Sequence, residues 1–217
     1  MGFVIAVDGP AASGKGVISI RLGAWFGLPV LDTGLLYRAV GAAVRRIGAN
    51  PADPAAAALA AHALDLRHLE DPELRAGKAG EAASQVAVHP EVRQALLAFQ
   101  RHFAARPPGA VLDGRDIGTV VFPEAQAKFY FTATPEARAM RRWRQLCARD
   151  ASVSFAETLD DLLRRDGRDA TREAAPMRPA ADAVLLDTTD LDIDSAFDAA
   201  RRIVETARAQ WERSPPG

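Results

Sequence analysis

Apolar positions along the chain fall into two kinds of run that alternate. Short strand-like stretches occur at residues 3–7, 29–31, 110–112, 127–132 and 183–187, and the first is an apolar run without strict alternation, the pattern of a strand buried on both faces of a parallel sheet. Between them, longer stretches repeat their apolar residues at helical spacing. Residues 14–26 carry Val17, Ile18, Leu22 and Trp25 on one side, with Trp25 read as core, and Gly27 and Pro29 end that helix. Further helices are predicted over residues 35–47, 54–66, 81–88, 90–105, 154–165 and 194–212, and over one opened by Pro135 that runs through Arg138, Arg141, Arg142 and Arg144. Val92, Leu96, Leu97, Phe99 and Phe103 mark the inner side of 90–105. Ser154 and Glu157 form a capping box at the start of 154–165. Residues 67–80 are charged and aperiodic and read as an exposed loop. Strands separated by helices predict a doubly wound α/β fold around a parallel five-stranded sheet.

Composition narrows this picture. At 217 residues the chain suits one compact domain, and its 48% apolar and 25% charged residues are those of a globular protein. A net charge of −1 provides no general attraction to nucleic acid. All but three of the 27 basic residues are arginine, the lysines being Lys15, Lys78 and Lys128, so only clustered arginines carry information. The single cysteine, Cys147, excludes an internal disulfide and reads as a small apolar helix residue. His62, His68, His89 and His102 lack metal-ligand spacing. Trp143 and Trp211 read as partly exposed. With no signal-peptide or membrane-length apolar run, the cytoplasm is the expected location.

Ligands of a doubly wound sheet gather beyond the C-terminal ends of its strands. Three candidate segments fall there: residues 9–16, the triplet Asp32, Thr33 and Gly34, and the quartet Asp113, Gly114, Arg115 and Asp116. The first reads Gly9, Pro10, Ala11, Ala12, Ser13, Gly14, Lys15, Gly16. Two glycines separated by four residues and followed by lysine, between a strand and a helix, make a phosphate loop. Its amides and the helix N-terminus meet phosphate oxygens, and Lys15 reaches the β and γ phosphates. The hydroxyl residue that often follows the lysine is replaced by Gly16 and Val17. Mg²⁺ is therefore expected to sit on phosphate oxygens, water and a carboxylate such as Asp113.

Glycine after the lysine is characteristic of nucleoside monophosphate kinases, and four further blocks make the resemblance specific. These are the run from Asp32 to Arg38, the run from Ala83 to Val86 with Arg93 downstream, the run from Asp113 to Pro123, and the run from Arg165 to Arg172. Together with the loop, in this order, they resemble bacterial cytidylate kinases. The resemblance implies an enzyme using ATP and Mg²⁺ to phosphorylate CMP or dCMP, monomeric, with no nucleic-acid or membrane partner. It implies a core over residues 1–48 and 106–217, a monophosphate-binding segment over 49–105 and a lid over 150–179. Lys15, Arg115, Arg165 and Arg172 are then the catalytic cations. Residues 9–17 bind ATP. Thr33, Tyr37, Arg38 and Arg115 meet the acceptor phosphate, with Asp113 beside them. Asp116 and Arg93 read the base next to Ser84, and Asp169 and Arg165 lie near the sugar.

Two departures follow from the residues. Cytidylate kinases commonly carry a small β-rich segment before the Ala-Ser-Gln block, whereas residues 66–80 are short and lack strand alternation, which points to a shortened insertion. The charged residues from Asp161 to Arg172 also fit a solvated helix face. A kinase of the same fold acting on another small acceptor, and a nucleotide-dependent switch or binding protein without catalysis, remain as alternatives. Against a GTPase-like switch, the chain lacks an Asn-Lys-x-Asp guanine reader.

Overall fold

The structure, a computed structural model, describes residues 2–75, 79–148 and 150–213, with the side chains of His68, Glu70 and Arg75 outside that description. Lys78 and part of the expected 67–80 loop therefore lie outside the described residues. The chain runs β1 (Phe3–Asp8), α1 (Lys15–Phe26), β2 (Val30–Asp32), α2 (Thr33–Arg46) and α3 (Pro54–His62). Two 3₁₀ turns, Leu66–Glu70 and Pro72–Arg75, lead to α4 (Ala79–Val86) and α5 (Pro90–Ala105). Then come β3 (Gly109–Asp113), a π turn (Ile117–Val121), β4 (Ala127–Thr132), α6 (Pro135–Cys147), α7 (Phe155–Thr171), β5 (Val184–Asp187) and α8 (Ile193–Arg213).

The five strands form one sheet in the order β2-β3-β1-β4-β5, with every pairing parallel. Side chains alternate across it as the pleat requires. Phe3, Ile5 and Val7 of β1 pack with Ile18 and Leu22 of α1 and with Phe197, Ala200 and Val204 of α8. Val4 and Ala6 face the other way, against Ala104 of α5 and Ile117 and Val121 of the π turn. β1 is wholly buried, which is why its sequence is apolar without alternation. β5 closes one rim, and Leu185 is 63% exposed there.

A third cluster stands beside the sheet, where Leu36, Val40 and Val44 of α2 meet Ala57 and Ala61 of α3, Val86 of α4, and Val92 and Leu96 of α5. Its α3, α4 and α5 fall within residues 49–105, the expected monophosphate-binding segment. Among its described residues this segment contains no strand, and alanine-rich α3 fills the space against α2. α2 and α4 approach so closely that a Cβ on Gly41 would stand 2.7 Å from that of Ala82.

The structure corrects several expectations. Trp25 is not core: it is 59% exposed, with the guanidinium of Arg201 lying 5.1 Å over its ring. Val17 is also about half exposed, because it faces the cleft described below. The helix expected to end at residue 165 continues to Thr171, while that expected to reach residue 66 ends at His62. The described part of 67–80 holds 3₁₀ turns rather than an open loop, and Leu74 is buried under them. The capping box of Ser154 and Glu157 is formed as expected.

Two helix glycines make a paired test. Gly41→Ala should lower stability by about 1–3 kcal/mol despite alanine's better helix propensity, because the added methyl overpacks α2 against α4. Gly167→Ala meets no atom within 4 Å and should raise stability by up to about 1 kcal/mol. Urea melts of both variants check the opposite signs.

Candidate active site

The strand ends deliver polar residues to one edge of the sheet. Asp113 stands level with Val7 of β1 and Asp32 of β2, so residues far apart in sequence meet there. Between β1 and α1 the glycine loop turns tightly. Gly9 has φ 137, and a Cβ there would lie 2.1 Å from the carbonyl oxygen of Phe131. Only hydrogen fits. Gly14 precedes α1 at φ 88 with no side-chain cap, so the helix presents its first amides to an anion. Ser13 donates its hydroxyl to the carbonyl of Pro10 at 3.1 Å, and Thr188 donates to the carbonyl of Ser13 at 2.9 Å.

Lys15 projects from this loop to Asp113, Nζ to Oδ1 at 2.5 Å. Burial pulls the ammonium below its usual pKa and pushes the carboxyl above its own, while each charge partly offsets the effect on the other. Thr33 donates its hydroxyl to the carbonyl of Asp113 at 2.8 Å. A Cβ on Gly16 would stand 3.3 Å from Oδ2 of Asp113, which places this carboxylate beside the start of α1.

The other half of the cleft is built on two carboxylates gripped by arginines. Asp116 accepts from Nη2 of Arg93 through one oxygen and from Nη2 of Arg172, at 3.0 Å, through the other. Arg93 lies over the ring of Tyr37, and its Nη1 is buried without a partner. Asp169 accepts the hydroxyl of Ser84 at 2.9 Å and Nε of Arg115 at 3.2 Å. Arg38 donates to the carbonyl of Leu74 at 3.3 Å. Arg165 is half-buried, and its pKa is drawn down to about 10, first by desolvation and then by the neighbouring Arg115, Arg38 and Arg142, against the pull of Asp169. Burial likewise lowers Arg172, with Arg93 adding to the effect.

These groups line one cavity of about 830 Å³. Every expected site residue is on its wall except Gly9 and Pro10, the buried first residues of the loop. Arg38, Arg93, Arg115, Asp116 and Lys15 therefore share one cleft. The far end is walled by Arg141, Arg142, Leu146, Leu191 and Ile193, which the sequence reading did not assign to the site. Asp8 was also missed, although it ends β1 directly before Gly9. Its carboxylate accepts from the amides of Ile117 and Gly118, both at 2.8 Å, and so holds the turn that follows Asp116. The signal available was a carboxylate at a strand's C-terminal end.

The family model described as "Cytidylate kinase" matches residues 5–207. The chain belongs to the cytidylate kinase family. Its relatives include the cytidylate kinase of Caulobacter sp. (strain K31), 59% identical across 97% of this chain and 98% of the relative. The cytidylate kinase of Caulobacter vibrioides (strain NA1000 / CB15N) is 60% identical across 97% of this chain and 99% of its own length. A solved structure of an uncharacterized protein from Eubacterium ventriosum ATCC 27560 covers 94% of this chain and 99% of its own, with TM-score 0.58 and 11% identity. That likeness concerns the fold alone. Membership of the cytidylate kinase family makes the protein a phosphotransferase.

The Asp8 side chain is buried where β1 ends. Burial pushes its carboxyl from 3.8 up to about 7 against the pull of the two amides. The folded protein thus keeps a proton that the unfolded chain releases, and the contribution of Asp8 to stability falls as pH rises from about 4 to about 7, by up to about 1.4 kcal/mol per pH unit. Denaturant melts of the ligand-free protein across that window should show a flatter pH dependence for Asp8→Asn than for wild type.

Proposed function

We infer that the cleft transfers the γ-phosphoryl group of ATP directly to the phosphate of CMP or dCMP, giving ADP and the diphosphate. The observation that carries the choice of acceptor is the buried, unpartnered Nη1 of Arg93 beside the carboxylate of Asp116. Cytosine presents acceptors at N3 and O2 and an amino donor at N4, so it answers both groups at once. Uracil would turn a carbonyl toward the carboxylate. Ser84 stands next to this pair, and Asp169 and Arg165 take the sugar side.

An acceptor phosphate oxygen is already anionic, so the reaction needs no strong base and its difficulty is electrostatic. Two polyanions must be brought into line. In this reading Arg38 and Arg115 hold the acceptor phosphate with Thr33 and Tyr37, Lys15 and the loop amides over residues 9–17 hold the donor, and Arg165 and Arg172 meet the moving phosphoryl group. Guanidinium groups suit the task because they bind phosphate oxygens in pairs and stay charged when buried. The carboxylates that hold Arg93, Arg115 and Arg172 keep them placed until substrate arrives.

Mg²⁺ bound with ATP would neutralise charge on the β and γ oxygens. The residues fit such an ion: Asp113 offers one buried carboxylate next to Gly16, and phosphates and water supply the remaining oxygens. We assign residues 49–105 to an acceptor-binding segment and 150–179 to a lid that excludes water during transfer. On the family resemblance the reading extends to a cytoplasmic monomer without nucleic-acid or membrane partners.

ADP production measured with CMP, dCMP, UMP and AMP in turn tests the assignment. CMP or dCMP should be preferred, and good turnover of AMP with failure of CMP would defeat it. Lys15→Ala should lower kcat by roughly a hundred- to a thousand-fold. Asp116→Ala should reduce the preference for CMP over UMP by about ten-fold or more, equivalent to ~1–3 kcal/mol of base discrimination, and retention of wild-type preference would show that the base is read elsewhere.

A further inference from the structure

On the face of the glycine loop away from its amides, the carbonyl oxygens are held by side chains that the reaction described above does not use. Ala12 stands at φ 61, a left-handed backbone that is unfavourable for an L-residue. The loop therefore needs restraint on both sides of it. After Ala12, Thr188 holds the carbonyl of Ser13. Before it, Nη1 of Arg138 donates to the carbonyl of Ala11 at 3.3 Å while Nε donates to that of Ala133 at 3.0 Å. The Arg138 side chain is 5% exposed, and its charge is met by Asp166, whose Oδ2 lies 2.6 Å from Nη1.

Asp166 comes from α7. Arg165 and Asp169 on the same helix line the cleft, but Asp166 does not, and neither does Arg138. One guanidinium thus joins three parts of the molecule: the glycine loop, the end of β4, and the helix that carries Arg165. A buried ion pair is weak ground for a gain in stability, since desolvation can cancel the attraction. Its usefulness here lies in what it connects.

We propose that Arg138 and Asp166 form a positioning pair that ties α7, and with it Arg165 and Arg172, to the back of the phosphate loop, so that the lid's guanidinium groups and the loop amides are set in register around the donor. A helix so tied cannot draw back without leaving the guanidinium that holds the carbonyl of Ala11 unpaired. Phosphoryl transfer tolerates little misplacement, because a shift of about 1 Å can cost on the order of a hundred-fold in rate. The proposal rests on the reading of the cleft as a phosphoryl-transfer site.

Asp166→Asn keeps the side chain's shape and removes its charge. With ATP and CMP as substrates, kcat should fall roughly ten- to a hundred-fold. Calorimetry without acceptor should show the Kd of ATP with Mg²⁺ rising several-fold, on the order of 1 kcal/mol. The Kd of CMP alone should stay within about two-fold, because Arg93, Asp116 and Ser84 come from other elements. Arg138→Lys should give the same pattern, and the double variant should be no worse than the more damaged single one, as expected of residues acting as a unit. Additive losses would overturn the proposal. So would a lowered Tm with kcat and both Kd values unchanged below the unfolding temperature, the result of a purely structural pair.

Should Asp166→Asn fail to fold, Arg138→Met combined with Asp166→Leu replaces the pair by apolar side chains, and the same three readouts decide. Wild type assayed in parallel separates the two readings. If it does not phosphorylate CMP, the acceptor assignment falls, while the affinity for ATP still decides the fate of the pair.

Discussion

Parallel pairing of β1 with β3 and β4 is the constraint from which the rest follows. It sets the end of β3 beside the ends of β1 and β2, so Asp113 faces Lys15 and Thr33 without any loop having to reach for them. Because β1 is buried on both faces, its register cannot slip by one residue without turning Phe3, Ile5 and Val7 away from α1 and α8. The packing that stabilises the sheet and the geometry that places the cleft are the same contacts.

The cleft itself is an electrostatic problem that the protein solves before any ligand arrives. Arg93, Arg115 and Arg172 are buried or nearly so and are held by Asp116 and Asp169, since an isolated charge in such surroundings would be costly. The compensation is incomplete. Arg165 retains a buried Nε without a partner and a depressed pKa, so the region holds more positive charge than its carboxylates answer. On the proposed reading an incoming phosphate supplies the missing negative charge, so that substrate binding relieves the excess.

Most of the architecture was legible from local pattern. The apolar runs at β1, β3 and β4 and the periodic stretch of α5 carry their period strongly enough to give near-final boundaries, and the glycine loop and the quartet from Asp113 to Asp116 announce themselves by spacing. What could not be read depends on contacts between distant segments. Asp8 meets amides 109 and 110 positions further on, and Arg138 meets Asp166, and neither link leaves a mark in its own neighbourhood. Trp25 was misjudged because its helical spacing looks inward, whereas Arg201 covers the ring at the surface. α7 was cut short for a related reason. Its last turns hold Gly167 and alternating charges without apolar spacing, and what extends the helix there is pairing of Arg168 with Glu81 and of Asp169 with Arg115 across the cleft.

The outer rim of the sheet carries a different consequence. β5 is an edge strand, its far side has no neighbouring strand among the described residues, and Leu185 is largely exposed upon it. An open row of amides and carbonyls is a template on which another chain can add. Here the template is only the four residues from Val184 to Asp187, and its last position is an aspartate. A short edge that ends on a negative charge offers little for a further strand to pair with, which is how an exposed rim can be carried without a covering element.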